Sequence, residues 1–212
     1  MRLIAVSDTH GRHDLITDIP DGDILVHAGD FMNSGLHPEE ILSFNRWLAK
    51  RAIKHRLVCG GNHDRLFQLV PRLAREVLTD ATYLENTGVT IDGESFWASP
   101  YTPEFLRWAF MYPRGTAARQ YWDQIPYDLA VLITHGPPFG ILDQAEPGGE
   151  NHGCKELLKA VKVKRPKVHI FGHIHGGAGT FDNGITRFVN SAFLNERYQP
   201  AAPAGKIHVI DI

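Results

Sequence analysis

Side chains able to ligate a metal ion stand just after apolar, strand-like runs along this chain. Asp8 and His10 follow LIAVS, Asp30 follows ILVHAG, Asn62 and His63 follow RLVCGG, His135 follows LAVLIT, and His173 and His175 follow VHIFG. Asp, His and Asn are poorly suited to buried strand ends unless something there needs them. Together they offer enough nitrogen and oxygen donors for two divalent ions, and two adjacent ions suit the cleavage of phosphate esters.

Each spacing has a chemical reading. In Asp8-Thr9-His10, residues two apart on an extended chain point the same way, so both can face one ion. Asp30 follows Gly29, and its two carboxylate oxygens can bridge cations roughly 3.5–4 Å apart. In Gly60-Gly61-Asn62-His63-Asp64, the glycines free the backbone for an abrupt turn. Asn62 offers a neutral carbonyl oxygen. His63 stands beside the ions, with an imidazole suited to protonate an alkoxide leaving group, and Asp64 is placed to orient or charge that imidazole. His135 lies between an apolar strand and Gly136 with two prolines, and His173 and His175 repeat the two-residue spacing so that both imidazoles can converge. Each group alone has a plainer structural explanation, such as Asp8 or Asp30 capping a turn. Their coincidence carries the metal reading.

Strand ends must position these residues. Strands are expected over 2–7, 24–27, 56–59, 82–84, 88–91, 94–98, 129–134, 167–171, 178–181, 185–190 and 206–211, several of them continuous apolar runs of the kind covered on both faces. Helices are expected over Pro38 to Arg51, Leu66 to Val77, Gly115 to Gln124 and Cys154 to Val161. The first has Pro38 at its opening and Ile41, Phe44 and Leu48 at helical spacing. The alternation predicts a layered α/β domain with a mixed or double sheet, spanning 1–212 as one unit. The stretches 136–153 and 199–205, rich in Pro and Gly, are loops of that domain.

With 212 residues, 43% hydrophobic and 22% charged, the chain has the composition of an ordinary globular protein. A net charge of -2 gives no global field favouring nucleic acid or an anionic membrane. The basic stretch Lys155 to Lys167 is read as a solvated helix face. Cys59 and Cys154 do not make a disulfide framework. No apolar run approaches the ~20 residues of a membrane helix, and nothing at the N-terminus resembles a signal peptide, so a cytoplasmic location is expected. Twelve histidines reinforce the search for metal.

On Asp8-Thr9-His10, Gly29-Asp30, Gly61-Asn62-His63-Asp64, Thr134-His135-Gly136 and Gly172-His173-Ile174-His175, the chain resembles the calcineurin-like metallophosphoesterase superfamily over nearly its whole length. HAGD at 27–30, YPRG at 112–115, THGPP at 134–138 and RPKVHIFGHIH at 165–175 are similar to its small metallophosphoesterase-domain-containing branch. The resemblance implies a four-layer α/β/β/α sandwich of two mixed sheets flanked by helices. It implies one ion on Asp8, His10, Asp30 and His175, a second on Asp30, Asn62, His135 and His173, and His63 as the acid serving the leaving group. Mn²⁺ is the expected metal, with Fe, Zn, Ni or Mg as alternatives. The branch implies hydrolysis of cyclic nucleotides or related phosphodiesters. Some animal members of it carry Gly where His173 stands; this chain keeps the His, which favours a competent centre.

The expected partner is therefore a small phosphoester such as a nucleotide, with no nucleic-acid duplex and no membrane. Phe31, Tyr101 and Phe139 are candidates to stack on a base, and Arg114 to pair with phosphate. His13 and His152 are candidates for an outer shell. The rival readings are a nucleotide-binding regulatory or scaffold protein with little turnover, and a metallo-β-lactamase-type hydrolase, whose dense His-x-His-x-Asp-His segment is absent here.

Overall fold

The computed structural model describes residues 1–201 and 207–212. Residues 202–206, which take in most of the loop expected over 199–205 and the first residue of the strand expected over 206–211, lie outside the described residues. Along the chain run β1 (Arg2–Val6), β2 (Ile24–Ala28), α1 (Pro38–Ala49), β3 (His55–Cys59), α2 (Arg65–Leu69), α3 (Pro71–Val77), β4 (Thr82–Leu84), β5 (Thr87–Ile91) and β6 (Glu94–Ser99). Then come the two-residue β7 (Thr102–Pro103) and β8 (Met111–Tyr112), α4 (Arg119–Trp122), β9 (Val131–Thr134), α5 (Lys155–Lys164), β10 (Val168–Phe171), β11 (Gly179–Asp182), β12 (Arg187–Asn190) and β13 (His208–Asp211).

Two mixed sheets result. One has the order β13-β1-β2-β3-β4, the other β11-β12-β10-β9-β6-β5. In both the inner strands are parallel; β13 is the antiparallel outer strand of the first, and both outer strands of the second, β11 and β5, are antiparallel. Alternation along the strands sorts the side chains. Leu3, Ala5, Ile24, Val26, Leu57 and Cys59 meet Phe96, Ala98, Val131, Ile133, Val168, Ile170 and Val189 in a core between the sheets. The other faces turn outward to helices. Ile4, Val6, Leu25 and Val58 pack with Ile41, Phe44, Trp47 and Leu48 of α1 and Ala74 of α3. Trp97, Leu132, Phe171 and Phe188 pack with Trp122 of α4 and Leu157 and Val161 of α5. The layers are therefore α/β/β/α, as expected.

Differences from the expected elements are local. The helix expected over Leu66 to Val77 breaks at Pro71, which opens α3 and leaves Val70 at φ -137. Proline supplies no amide for the preceding turn and bars helical geometry from the residue before it. The helix expected over Gly115 to Gln124 is a 3-10 turn, Thr116–Ala118, running into the four-residue α4. α5 runs on to Lys164, past the expected end at Val161, and stops where Arg165 takes φ 52. Its N-cap is Cys154, whose sulfur accepts the Leu157 amide at 3.3 Å. The basic stretch is the solvated face of this helix, with Lys155, Lys159 and Lys162 exposed. Among the described residues no helix is long and apolar enough to cross a membrane.

Candidate metal centre

The parallel strands β1, β2, β3, β9 and β10 all release their chains on one side of the molecule. Backbone bonds continue past the strands and lock the exits together. Asp8 N donates to Gly29 O at 2.9 Å, His10 N to Asp30 O at 2.9 Å, His135 N to Ser99 O at 3.1 Å, and Gly172 N to His135 O at 2.9 Å. A bridge between Ser7 and Ala192 joins the end of β1 to the segment after β12, so the exits of both sheets meet.

The convergence does not come from extended alternation. Asp8, His10, Asp30 and His173 lie at φ 53, 43, 57 and 68. Non-glycine residues seldom occupy this left-handed region, and four of them at one place mark a strained, over-determined site. Gly60 and Gly61 take no positive φ; what Gly61 supplies is room, since a Cβ there would collide with the Asp30 carboxylate. Gly172 likewise lies where a Cβ would collide with Asp8 and Ser7.

Three groups of donor atoms form, each within 4.8 Å: Asp8, His10 and His175; His10, Asp30 and His63; Asp30, His135 and His173. His173 and His175 thus part to different groups instead of converging on one. His10 Nε2 lies 3.3 Å from His175 Nε2 and 3.8 Å from Asp30 Oδ2. His175 Nε2 lies 3.5 Å from Asp8 Oδ1. On the other side, His135 Nε2 lies 3.3 Å from Asp30 Oδ2 and 2.9 Å from Asn62 Oδ1. Outer contacts aim the rings: His175 Nδ1 donates to Asn195 O at 3.0 Å and His135 Nδ1 to Ala28 O at 2.9 Å. Each therefore turns Nε2 toward the carboxylates. Thr9 Oγ1 braces the loop against His27 Nε2 at 3.1 Å. His173 N donates to both Asp8 oxygens, at 3.1 and 3.0 Å.

The electrostatics fit cations. Burial opposes charge on Asp8 and Asp30, yet His175 beside Asp8 and His135 beside Asp30 hold both carboxyls below the ordinary range. Burial likewise opposes charge on His135 and His175, yet Asp30 and Asp8 raise each to about 9. His10 and His173 are lowered to about 4 and about 3, chiefly by burial. Protons on two imidazoles thus balance the two carboxylates. Divalent ions binding the same donors would displace those protons, which is how metal affinity couples to pH. With nitrogen and oxygen donors crowded this closely and Asp30 in two groups, the residues present fit a pair of divalent ions.

The other expected site residues divide. His63 lines the cavity over the cluster; its amide donates to Asp30 Oδ1 at 2.7 Å and its Nδ1 to Asn33 O at 2.7 Å. Asp64 does not orient that imidazole. Its carboxylate accepts the amides of Asp30 at 2.8 Å, Gly61 at 2.7 Å and Met32 at 2.9 Å. It is a fully buried tie between two loops, and burial together with the Asp30 charge raises its carboxyl above the ordinary range. Phe31 is no pocket residue. It is fully buried and stacks on Phe44 at 4.4 Å, because the position after Asp30 turns toward the helix layer. Tyr101 stacks on Tyr121 at 4.1 Å in an aromatic cluster beside α4 and is not part of the cavity wall. His13 bonds Ser43 Oγ at 3.1 Å and packs on α1, away from the centre.

The cavity over the cluster measures about 360 Å³ and is walled by Pro103, Phe105, Leu106, Trp108 and Tyr198, with Arg114, His152 and Glu196 at its polar edge. Arg114 is present as expected, but its guanidinium already donates to His152 O at 2.9 Å and Gly153 O at 3.2 Å. Phe139 lies in a neighbouring cavity of about 650 Å³ that shares Pro103, Arg114 and His152 with the first, and Lys155 Nζ sits 4.8 Å over its ring. Sequence reasoning missed Trp108 and Tyr198. The apolar cluster FLRWAF at 105–110 was a signal for the first; Tyr198 had none.

A family model described as calcineurin-like phosphoesterase matches residues 1–177. The metallophosphoesterase domain-containing protein 1 of Homo sapiens is 38% identical over an alignment covering 95% of this chain and 69% of its own length. A UPF0046 protein of Caenorhabditis elegans is 40% identical, covering 94% of this chain and 72% of its own. Among solved structures, the protein TT1561 of Thermus thermophilus shares the fold with a TM-score of 0.65 at 15% identity, covering 99% of this chain and 98% of that one.

Proposed function

The chain belongs to the calcineurin-like phosphoesterase family, and on that premise we propose that it is a dinuclear metal-dependent phosphodiesterase acting on cyclic nucleotides or related small diesters. The observation that carries this reading is the place of Asp30, a member of two donor groups at once. Asp8, His10, Asp30 and His175 would hold one ion, and Asp30, Asn62, His135 and His173 the other. Mn²⁺ heads the candidates, followed by Fe, Zn, Ni and Mg. Two such ions would supply Lewis acidity toward phosphate oxygens and bring the pKa of water toward ~7. The reading takes residues 1–212 as one metallophosphoesterase domain, and the buried, unpaired Cys59 and Cys154 suit a reducing, cytoplasmic setting.

His63 is placed to serve as the acid, a role that requires protons on both ring nitrogens. With Nδ1 tied to Asn33 O, Nε2 is the nitrogen left to face a substrate. As a water oxygen bonds to phosphorus opposite the departing group and sheds one proton to solvent, the P–O bond to that group breaks, its electron pair stays on the leaving oxygen, and the proton from the imidazolium Nε2 neutralises it; a proton from solvent then restores His63. The cavity walls support a diester over a monoester. Among the described residues Arg114 is the one arginine or lysine on the wall, Glu196 also lines it, and Phe105, Leu106 and Pro103 present carbon. A diester brings one negative charge and a second organic arm; a monoester dianion calls for more cations and less apolar wall.

The test is metal content together with hydrolysis of bis(4-nitrophenyl) phosphate, 4-nitrophenyl phosphate and a panel of cyclic nucleotides in Mn²⁺. The expected result is two ions per chain and a kcat/KM for diester at least about tenfold above that for monoester. Asp30→Ala should lose metal and about 10³-fold in rate, the scale on which preorganised electrostatics act. A preference for the monoester overturns the diesterase reading. Two bound ions and a bound nucleotide without turnover favour the regulatory alternative.

A further inference from the structure

A proton donor serves a poor leaving group only if its ring is held in one orientation, because each freely rotating torsion dilutes the productive geometry. In this chain the His63 imidazole is held through more than its Nδ1. Its face lies on the Trp108 indole, with centroids 4.1 Å apart and planes 25° apart, and the His10 ring meets it edge-on at 4.5 Å. The Arg65 guanidinium lies over the same indole at 4.7 Å. An imidazole and a guanidinium thus both pack on the Trp108 indole.

The segment that carries Trp108 is tied at three points to the loop and helix that carry His63. Arg65 Nη2 donates to Arg107 O at 2.6 Å. Ala109 N donates to Asn62 O at 3.1 Å. Phe110 N donates to Gln68 Oε1 at 3.1 Å. An aromatic that merely covered the rim would need none of these. On either side of Trp108 the chain is anchored to the residue before His63 or to the helix after it, so the indole and the imidazole move together.

We propose that Trp108 is a positioning residue for the reaction: clamped by Arg65, Asn62 and Gln68, its indole fixes the plane of the His63 imidazole so that Nε2 stays aimed at the leaving oxygen. The proposal rests on the reading of His63 as proton donor. It assigns the arginine at 65 a structural part in the same device, through the indole, and requires no contact between Trp108 and substrate.

The experiment compares the Mn²⁺-loaded wild type with Trp108→Ala, Trp108→Phe and Arg65→Gln on aryl methyl phosphates whose leaving phenols span a range of pKa. Trp108→Ala should lose about tenfold in kcat on unsubstituted phenol, a part of the ~10²–10⁴ that a positioned acid supplies. On 4-nitrophenol it should lose no more than about threefold, since that leaving group needs little protonation. Trp108→Phe, which keeps an aromatic face, should recover most of the loss, and Arg65→Gln should fall between. In the diamagnetic Zn²⁺-loaded proteins, the ring protons of His63, shielded by the indole in the wild type, should move downfield in the NMR spectrum of Trp108→Ala and partly return in Trp108→Phe. Equal losses on both leaving groups, or an unmoved His63 signal, overturn the role given to Trp108. A wild type that binds metal but cleaves none of the series overturns instead the phosphodiesterase reading beneath it.

Discussion

The His63 side chain meets Asn33 O through Nδ1 and the Trp108 indole through its face. Replacing it removes a proton donor without leaving a buried carboxylate unpaired, because the contact to Asp30 comes from the His63 backbone amide. His63→Ala should therefore keep both ions and lose about 10²–10³-fold on esters with alkoxide leaving groups, with a much smaller loss on 4-nitrophenyl esters. Rates across a leaving-group series, taken beside metal content, check this. A uniform loss accompanied by lost metal would instead make His63 a ligand of the group it forms with His10 and Asp30. At this scale the side chains that could hold metal were legible as a group, because polar donors recurring after apolar runs have few other uses in common. Phe31 was misread for a related reason: adjacency to Asp30 in sequence says nothing about which layer a side chain enters, and this one enters the helix layer against Phe44.

Asp64 belongs to the scale of elements. Its buried carboxylate gathers the amides of Asp30, Met32 and Gly61, and so pins the exit of β2 to the turn between β3 and α2. Asp64→Ala should leave those amides without acceptors and cost about 2–5 kcal/mol of folding stability, since each unpaired buried donor costs about 1–3 kcal/mol. Urea unfolding of the metal-free protein measures it; a loss confined to turnover with unchanged stability would return Asp64 to the catalytic role first expected of it. Helical periodicity carried the sequence reading through Leu66 to Val77, but the missing amide and ring bulk of Pro71 split it into α2 and α3. Strand cores were legible from their continuous apolar runs. The two-residue β7 and β8 were not, since pairs this short form only where neighbouring elements bring them together.

Across the whole molecule, burial sets how stability responds to pH. His10, His13, His27, His169 and His173 are lowered by burial to about 4, 4, 3, 3 and 3. Between the unfolded value near ~6.5 and those values the unfolded chain binds more protons, so stability falls as pH drops. His135 and His175 work the other way. Raised to about 9 by Asp30 and Asp8, they give stability that is full below ~6.5 and is lost as pH climbs through about 9. Asp8 and Asp30, lowered, add to the acid loss, whereas Asp64, raised, loses stability as pH rises from its ordinary value near ~3.9 and so offsets part of that loss. The metal-free protein should therefore have its highest Tm near pH ~6.5 and fall on both sides. Saturating Mn²⁺ should flatten the alkaline limb by replacing the protons on His135 and His175. Thermal unfolding across pH in chelator and in Mn²⁺ reads this directly, and a metal-free Tm constant from pH ~6.5 to ~9 would argue that no such protons are held.

What the amino-acid order by itself determined was which atoms could bind metal, which runs must be strands or helices, and that the strands needed cover on both faces, because apolar periodicity and donor chemistry are properties of short segments. The left-handed turns at Asp8, His10, Asp30 and His173, the parting of His173 from His175, the backbone-binding role of Asp64 and the indole against His63 were decided only in three dimensions. Each depends on which distant segment lies alongside, and that is settled when two sheets close on a shared core and their exits are pressed together.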